Sequence, residues 1–269
     1  MKLNLLTLLP FLTHSTTAHP SPSPNSQAPT SIPPIFFLAG DSTTAKQSTG
    51  GGGWGNGFLN TTLHRGATGT NYGVNGRTTV SYRADGYWAT VLAGVASAHA
   101  SGTHSPYVTI QFGHNDQKAA ANISIAEYTS NLEVFVGDVR AAGGTPILVT
   151  PLSRRGYDNS TGTPLVVENL ADQRAATIAA AQATGARWID LNAASTRYLN
   201  AIGPADAWTY NLVADDQTHL NAQGSVVFGG LVAELIGGVL PDLKREGFVV
   251  VEETLRKDLD EGVYFWPDM

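Results

Sequence analysis

An α/β fold, doubly wound around a parallel sheet, is what the sequence predicts, and three observations carry that expectation. Short apolar runs over residues 35–39, 107–112, 146–150 and 187–191, with a weaker strand signal over 67–72, have the length of strands rather than helices. Stretches of helical spacing alternate with them, as crossovers between parallel strands require. Two of the runs end directly in a glycine and a polar cluster, the place where open parallel sheets bind ligands.

Upstream of the first strand the chain has a different character. Lys2, the apolar run Leu3 to Leu12 and the small residues Thr16-Thr17-Ala18 read as a secretory signal over residues 1–18. That run is too short to span a bilayer, and no later segment approaches about 18 apolar residues, so no membrane partner is expected. Residues 19–34 are rich in Pro and Ser and read as an extended leader. Sequons at Asn60, Asn122 and Asn159 agree with a secreted, extracellular glycoprotein. A chain of 269 residues with a net charge of -6 and no basic cluster argues against a nucleic-acid partner. Cysteine is absent, which excludes disulfides, thiolate zinc sites and a cysteine nucleophile.

The first strand, Ile35 to Ala39, runs into Gly40-Asp41-Ser42, and Ser42 stands where a nucleophile would be displayed. As a plain turn, the same residues would only cap the next element. Residues 48–57 are Gly-rich and read as a loop at the rim of that site, with Trp54 starting a helix to His64. The second strand leads to Asn75-Gly76, a turn that needs positive φ or close backbone approach. Residues 87–100 are helical, with Trp88, Val91, Leu92 and Val95 at core spacing. Tyr107 to Phe112 is a strand that enters Gly113-His114-Asn115-Asp116. A helix over 125–142, a strand over 146–150, a helix over 165–184 and a strand over 187–191 continue the alternation. After Asp215-Asp216-Gln217-Thr218-His219, the apolar run through Leu240 is the expected last core helix. The domain therefore covers residues 35–245. Residues 246–269 form a charged extension of open role, with an apolar patch at Phe248 to Val251 and a late Tyr264-Phe265-Trp266.

A serine is a weak nucleophile at neutral pH and needs an adjacent base, itself oriented by a third group. The Asp216-x-x-His219 spacing lets a carboxylate hold the imidazole Nδ1, leaving Nε2 free for the Ser42 proton. Backbone N–H groups at Ser42 and Gly76 and the Asn115 amide can face an oxyanion. Singly, each of these residues is more often a turn former or a helix cap; their joint order is the specific signal. Trp54, Arg77 and His114 are candidates for substrate contact by type and position alone. Asp41 is expected to hold the nucleophile turn, and Asp116 and Asp215 to be structural. A rival set, Asp41, His114, Asn115, Asp116, Asp216 and His219, has the donors of a metallophosphoesterase. Against it, Gly113-His114-Asn115 inverts the Gly-Asn-His order of those enzymes and no Asp-x-His opens the chain.

The four blocks Gly40-Asp41-Ser42, Gly76, Gly113-His114-Asn115-Asp116 and Asp216-x-x-His219 resemble those of the SGNH (GDSL-type) hydrolase superfamily over residues 35–240. Longer matches at Leu38 to Lys46, Asn75 to Thr78, Phe112 to Asp116 and Thr218-His219 are similar to the fungal rhamnogalacturonan acetylesterases. The resemblance implies a three-layer α/β/α, flavodoxin-like fold with a five-stranded parallel sheet and neither cofactor nor metal. It implies Ser42, Asp216 and His219 as catalytic triad, and Ser42, Gly76 and Asn115 as oxyanion donors. The expected activity is removal of O-acetyl groups from a plant cell-wall polysaccharide, rhamnogalacturonan before xylan, by a monomeric secreted serine esterase. A GDSL lipase is disfavoured by the lack of a long apolar lid segment, and a non-catalytic carbohydrate-binding protein by the intact triad. Two features depart from the family: it carries disulfides that this chain lacks, and the extension past Glu246 is unfamiliar.

Overall fold

Strand β1 (Pro34–Gly40) buries both of its faces: Phe36 and Leu38 enter one core, Phe37 and Ala39 another. Alternation with apolar residues on both sides marks a strand covered by helices front and back. The computed structural model describes Met1 and residues 31–268; the signal segment after Met1 and residues 19–30 of the leader lie outside the described residues.

After β1 come α1 (Gly55–Thr61), β2 (Thr68–Asn71), α2 (Thr79–Ala84), α3 (Tyr87–Ser101), β3 (Ser105–Gln111), α4 (Ile125–Ala141) and β4 (Thr145–Val149). A short antiparallel hairpin, β5 (Tyr157–Asp158) and β6 (Leu165–Val166), precedes α5 (Ala171–Thr184), β7 (Arg187–Ile189), α6 (Leu191–Ala207) and α7 (Ala222–Val239). Two further helices, α8 (Pro241–Arg245) and α9 (Glu253–Glu261), follow. The main sheet has five parallel strands in the order β2-β1-β3-β4-β7, which is the expected three-layer α/β architecture. Core residues of α3, α4 and α5 cover one face; those of α1, α6, α7 and α9 cover the other. The chain leaves β1 toward β2 on one side and returns to β3 on the other. This reversal is the switch point at which open α/β sheets bind ligands, and Ser42 and Asn115 follow the two strands that flank it.

Helix α7 brings its own start signal: the Asn221 side chain accepts from the Gly224 N–H at 2.8 Å. It lies unusually close to α1. A Cβ on Gly57 would stand 1.8 Å from the Ser225 carbonyl oxygen, and one on Gly229 2.2 Å from the Phe58 nitrogen. Backbone thus meets backbone, which ties the loop before α7 to the loop after β1.

Three expectations are corrected. The helix foreseen over 165–184 begins only at Ala171, because Leu165–Val166 pairs with β5 and the Val167 N–H donates to the Gly156 carbonyl. Helix α7 is not the last core helix, since Leu255 and Leu259 of α9 are buried in the same core, as are Phe248, Val249 and Val251 before it. It is also long and apolar enough by length and composition to cross a membrane, but it is a mostly buried helix of the interior.

Candidate active site

The nucleophile turn is set by packing around β1. A Cβ on Gly40 would lie 2.3 Å from Thr44 Oγ1 and 2.7 Å from the Gln111 carbonyl oxygen, so only glycine lets β1 end this close to β3. Asp41 Oδ1 accepts from the Thr43 N–H at 2.9 Å and the Thr43 hydroxyl at 2.8 Å, and the Asp41 carbonyl accepts from the Thr44 and Ala45 N–H groups. These bonds hold the turn that presents Ser42. Burial pushes the Asp41 carboxyl up to about 6, although the bonds from Thr43 pull the other way.

Ser42 Oγ lies 2.8 Å from His219 Nε2, and His219 Nδ1 lies 2.8 Å from Asp216 Oδ2. The other oxygen of Asp216 accepts from the backbone N–H groups of Thr218 at 3.0 Å and His219 at 2.9 Å. Burial opposes ionisation of Asp216, but the bonds from His219 and Thr218 outweigh it and hold the carboxyl below its ordinary range. An ionised Asp216 fixes the tautomer with the proton on Nδ1, so Nε2 can accept the serine proton.

The residues expected as oxyanion donors can be placed one by one, with Asn115 bonded to the turn that holds Gly76. Gly76 has φ +75°, the left-handed backbone foreseen for its turn. Among the described residues no partner takes the N–H of Ser42 or of Gly76. Asn115 is held at both ends of its amide: Oδ1 accepts from Lys118 Nζ at 2.7 Å, and Nδ2 donates to the Arg77 carbonyl at 3.0 Å. One Nδ2–H therefore stays free. Asp116 does structural work, as foreseen, accepting from the Thr79 N–H and hydroxyl at 2.8 and 2.6 Å and from the Gly113 N–H at 3.2 Å.

The side chains of the three residues expected to touch substrate are buried or paired within the protein. Trp54 has no exposed surface and donates through Nε1 to Gln111 Oε1, so it is a core residue. His114 is 2% exposed and sits beneath the turn, its Nδ1 3.8 Å from Asp41 Oδ2. Burial lowers its basicity well below the ordinary histidine range. The Arg77 side chain turns to Asp85 at 3.0 Å and over the Tyr87 ring, leaving only its backbone carbonyl at the site. As for the rival metal set, no three His, Asp or Glu side chains among the described residues gather as metal ligands.

Two consecutive arginines were not singled out in the sequence. Arg155 is fully buried and donates to Asn211 Oδ1 at 2.6 Å, the His219 carbonyl at 2.6 Å and the Asp216 carbonyl at 3.3 Å. It carries the loop of Asp216 and His219 on its guanidinium, and burial pushes its pKa down to about 10 against the attraction of Asp216. Arg154 reaches Thr218 Oγ1 at 3.1 Å, beside His219. A charged pair in the loop that leaves the buried strand β4 was the available signal.

The sequence profile of the GDSL-like Lipase/Acylhydrolase family matches residues 38–227. The chain is 27% identical over 231 residues to the probable rhamnogalacturonan acetylesterase YesY of Bacillus subtilis, covering 82% of this chain and 98% of that one. It is 28% identical over 213 residues to the rhamnogalacturonan acetylesterase RhgT of the same bacterium, covering 74% and 87%. Both are bacterial, whereas the motifs were matched to fungal enzymes. In fold it is similar to Axe2, an acetylxylan esterase from Geobacillus stearothermophilus, with a TM-score of 0.54 at 20% identity over 82% of this chain and 99% of that one.

Proposed function

The chain belongs to the GDSL-like lipase/acylhydrolase family and is a carboxylic ester hydrolase, and from that premise we propose that it is a secreted, monomeric serine esterase that removes acetyl groups from rhamnogalacturonan. The observation that carries the mechanism is the unbroken line Ser42–His219–Asp216, with 2.8 Å at each step. Two relatives named as rhamnogalacturonan acetylesterases support the substrate. Exposed sequon residues Asn60 and Asn159 agree with secretion.

In this reading Ser42 Oγ attacks the acetyl carbonyl as His219 Nε2 takes its proton. The negative charge that develops on the carbonyl oxygen meets the N–H groups of Ser42 and Gly76 and the free Nδ2–H of Asn115, donors already in place before the charge forms. His219 then returns the proton to the departing sugar hydroxyl, leaving acetyl-Ser42. Water attacks that ester with His219 again as base, and acetate leaves. Asp216 keeps the imidazole oriented and stabilises its charged form throughout.

The test is acetate release from acetylated rhamnogalacturonan and acetylated xylan, wild type beside Ser42→Ala. Release from the pectic polymer, abolished in the variant, is the expected result. Release from xylan alone would keep the mechanism and overturn the substrate. Wild-type activity in Ser42→Ala would overturn the nucleophile.

A further inference from the structure

Arg154 is a half-buried guanidinium at the meeting point of three loops, and its hydrogen-bond partners are neutral. Nε donates to Thr218 Oγ1 at 3.1 Å and Nη1 to Asn169 Oδ1 at 3.1 Å. With the Gln117 amide turned so that its oxygen faces the guanidinium, Gln117 accepts at 2.7 and 3.2 Å. Arg77, Arg83 and Arg174 each meet a carboxylate within 4 Å; among the described residues Arg154 meets none. Burial disfavours its charge, with Asp41 acting in the opposite sense from a distance. The Lys118 ammonium is similar: its bonded partner is the neutral carbonyl of Asn115, and no carboxylate among the described residues pairs with it.

Two cations without a carboxylate partner therefore border the candidate site, Arg154 bonded to Thr218 beside His219 and Lys118 bonded to Asn115, in a chain whose net charge is -6. Holding a guanidinium out of water without a counter-charge is costly, and neutral acceptors orient the fork without neutralising it. We propose that Arg154, assisted by Lys118, binds a carboxylate of the substrate, so that the cleft takes acetylated glycans containing uronate in preference to neutral ones. This inference rests on the serine-esterase reading of the Ser42 site, and it deepens that reading by assigning a specificity residue. Galacturonate in rhamnogalacturonan supplies such a carboxylate; xylose does not. The preference is local, because Glu168 and Asp172 line the adjoining hollow beyond Gln117 and Asn169. A run of successive carboxylates would meet those acids.

The experiment compares kcat/KM on acetylated rhamnogalacturonan oligosaccharides with that on the same oligosaccharides after methyl esterification of their carboxylates. Wild type, Arg154→Gln and Arg154→Lys are assayed, with 4-nitrophenyl acetate as the uncharged reference ester. Hydrogen bonds to charged groups imply a wild-type preference for the free carboxylate of roughly ten- to a hundredfold. The preference should appear in KM, fall with added salt, approach unity in Arg154→Gln and recover in part in Arg154→Lys. A wild-type ratio near one, or a ratio untouched by Arg154→Gln, overturns the proposal. So does an equal loss of kcat on both substrates with the ratio intact, which would make Arg154 a prop for Thr218. Failure of the wild type on 4-nitrophenyl acetate would instead sink the esterase reading itself. Should that ester be cleaved but neither oligosaccharide, inhibition of its cleavage by the two oligosaccharide forms supplies the same ratio.

Discussion

At the scale of single residues, the site combines donors that are held with donors that are free. Asn115 is clamped by Lys118 and the Arg77 carbonyl, which leaves one N–H for the oxyanion role proposed for it. Asn115→Ala is expected to lower kcat by roughly 10²–10³ with little change in KM, as for loss of one oxyanion donor. A loss below about tenfold would remove Asn115 from that role. Asp41 yields a prediction of stability against pH. Its folded pKa of about 6 lies above the ordinary 3.8, so the folded protein keeps a proton that the unfolded chain has released. The stability from this group is complete below the lower value and is lost as pH rises through the higher, by an amount on the order of 3 kcal/mol. Asp41→Asn cannot ionise and should gain stability relative to wild type between about pH 4 and about pH 7 in urea unfolding. A difference that stays flat over that window would contradict the buried, uncompensated carboxylate.

At the scale of elements, the catalytic loop is positioned by Arg155 and by the contact of α1 with α7. Arg155→Met removes hydrogen bonds to Asn211 and to the carbonyls of Asp216 and His219. Misplacing a base by about 1 Å can cost 10²-fold, so steady-state kinetics should show a fall of that order, carried by kcat. Gly57→Ala would press a methyl group into the Ser225 carbonyl, and overpacking of this kind costs about 1–3 kcal/mol. Calorimetry would register it as a lower Tm. Strand β2, with the sequence Thr68-Gly69-Thr70-Asn71 at the sheet edge, gave only a weak signal, whereas the other four strands of the sheet were legible because each holds a short apolar run. Helix α6 was not: its start, Asp190 accepting from the Ala193 N–H, follows β7 without a break, so strand and helix read as one run. Ser42, Asp216 and His219 were legible as a set because a serine, a histidine and a carboxylate in this order stand in polar loops, Ser42 after β1 and the other two between α6 and α7. Trp54 and His114 were misplaced because burial is a tertiary property: the buried Nε1 of Trp54 finds its partner in Gln111 at the end of β3, 57 residues away.

At the scale of the whole molecule, the C-terminal segment is part of the core rather than an attachment to it. Val249 bridges to Leu63, the Val250 N–H donates to the Thr62 carbonyl, and the His64 N–H donates to the Phe248 carbonyl. The Phe265 N–H donates to Tyr198 Oη at 3.2 Å and its carbonyl accepts from the Tyr210 hydroxyl. Tyr210 lies in the short 3-10 turn Trp208–Tyr210 between α6 and the loop of His219, so the far end of the chain supports the region that holds His219. Phe248 is fully buried, and Phe248→Ala is expected to cost about 3–5 kcal/mol in denaturant unfolding. A cost under about 1 kcal/mol would mean that the segment contributes nothing to the fold.

The central claim is that Ser42 is the nucleophile, activated by His219. Its most direct test is to treat the protein with a serine-directed phosphonate, digest it, and locate the adduct by mass spectrometry. The account requires the label on Ser42, in step with loss of esterase activity, with no adduct in Ser42→Ala and far slower labelling in His219→Ala. An adduct on another residue, or full activity once Ser42 is modified, would contradict it.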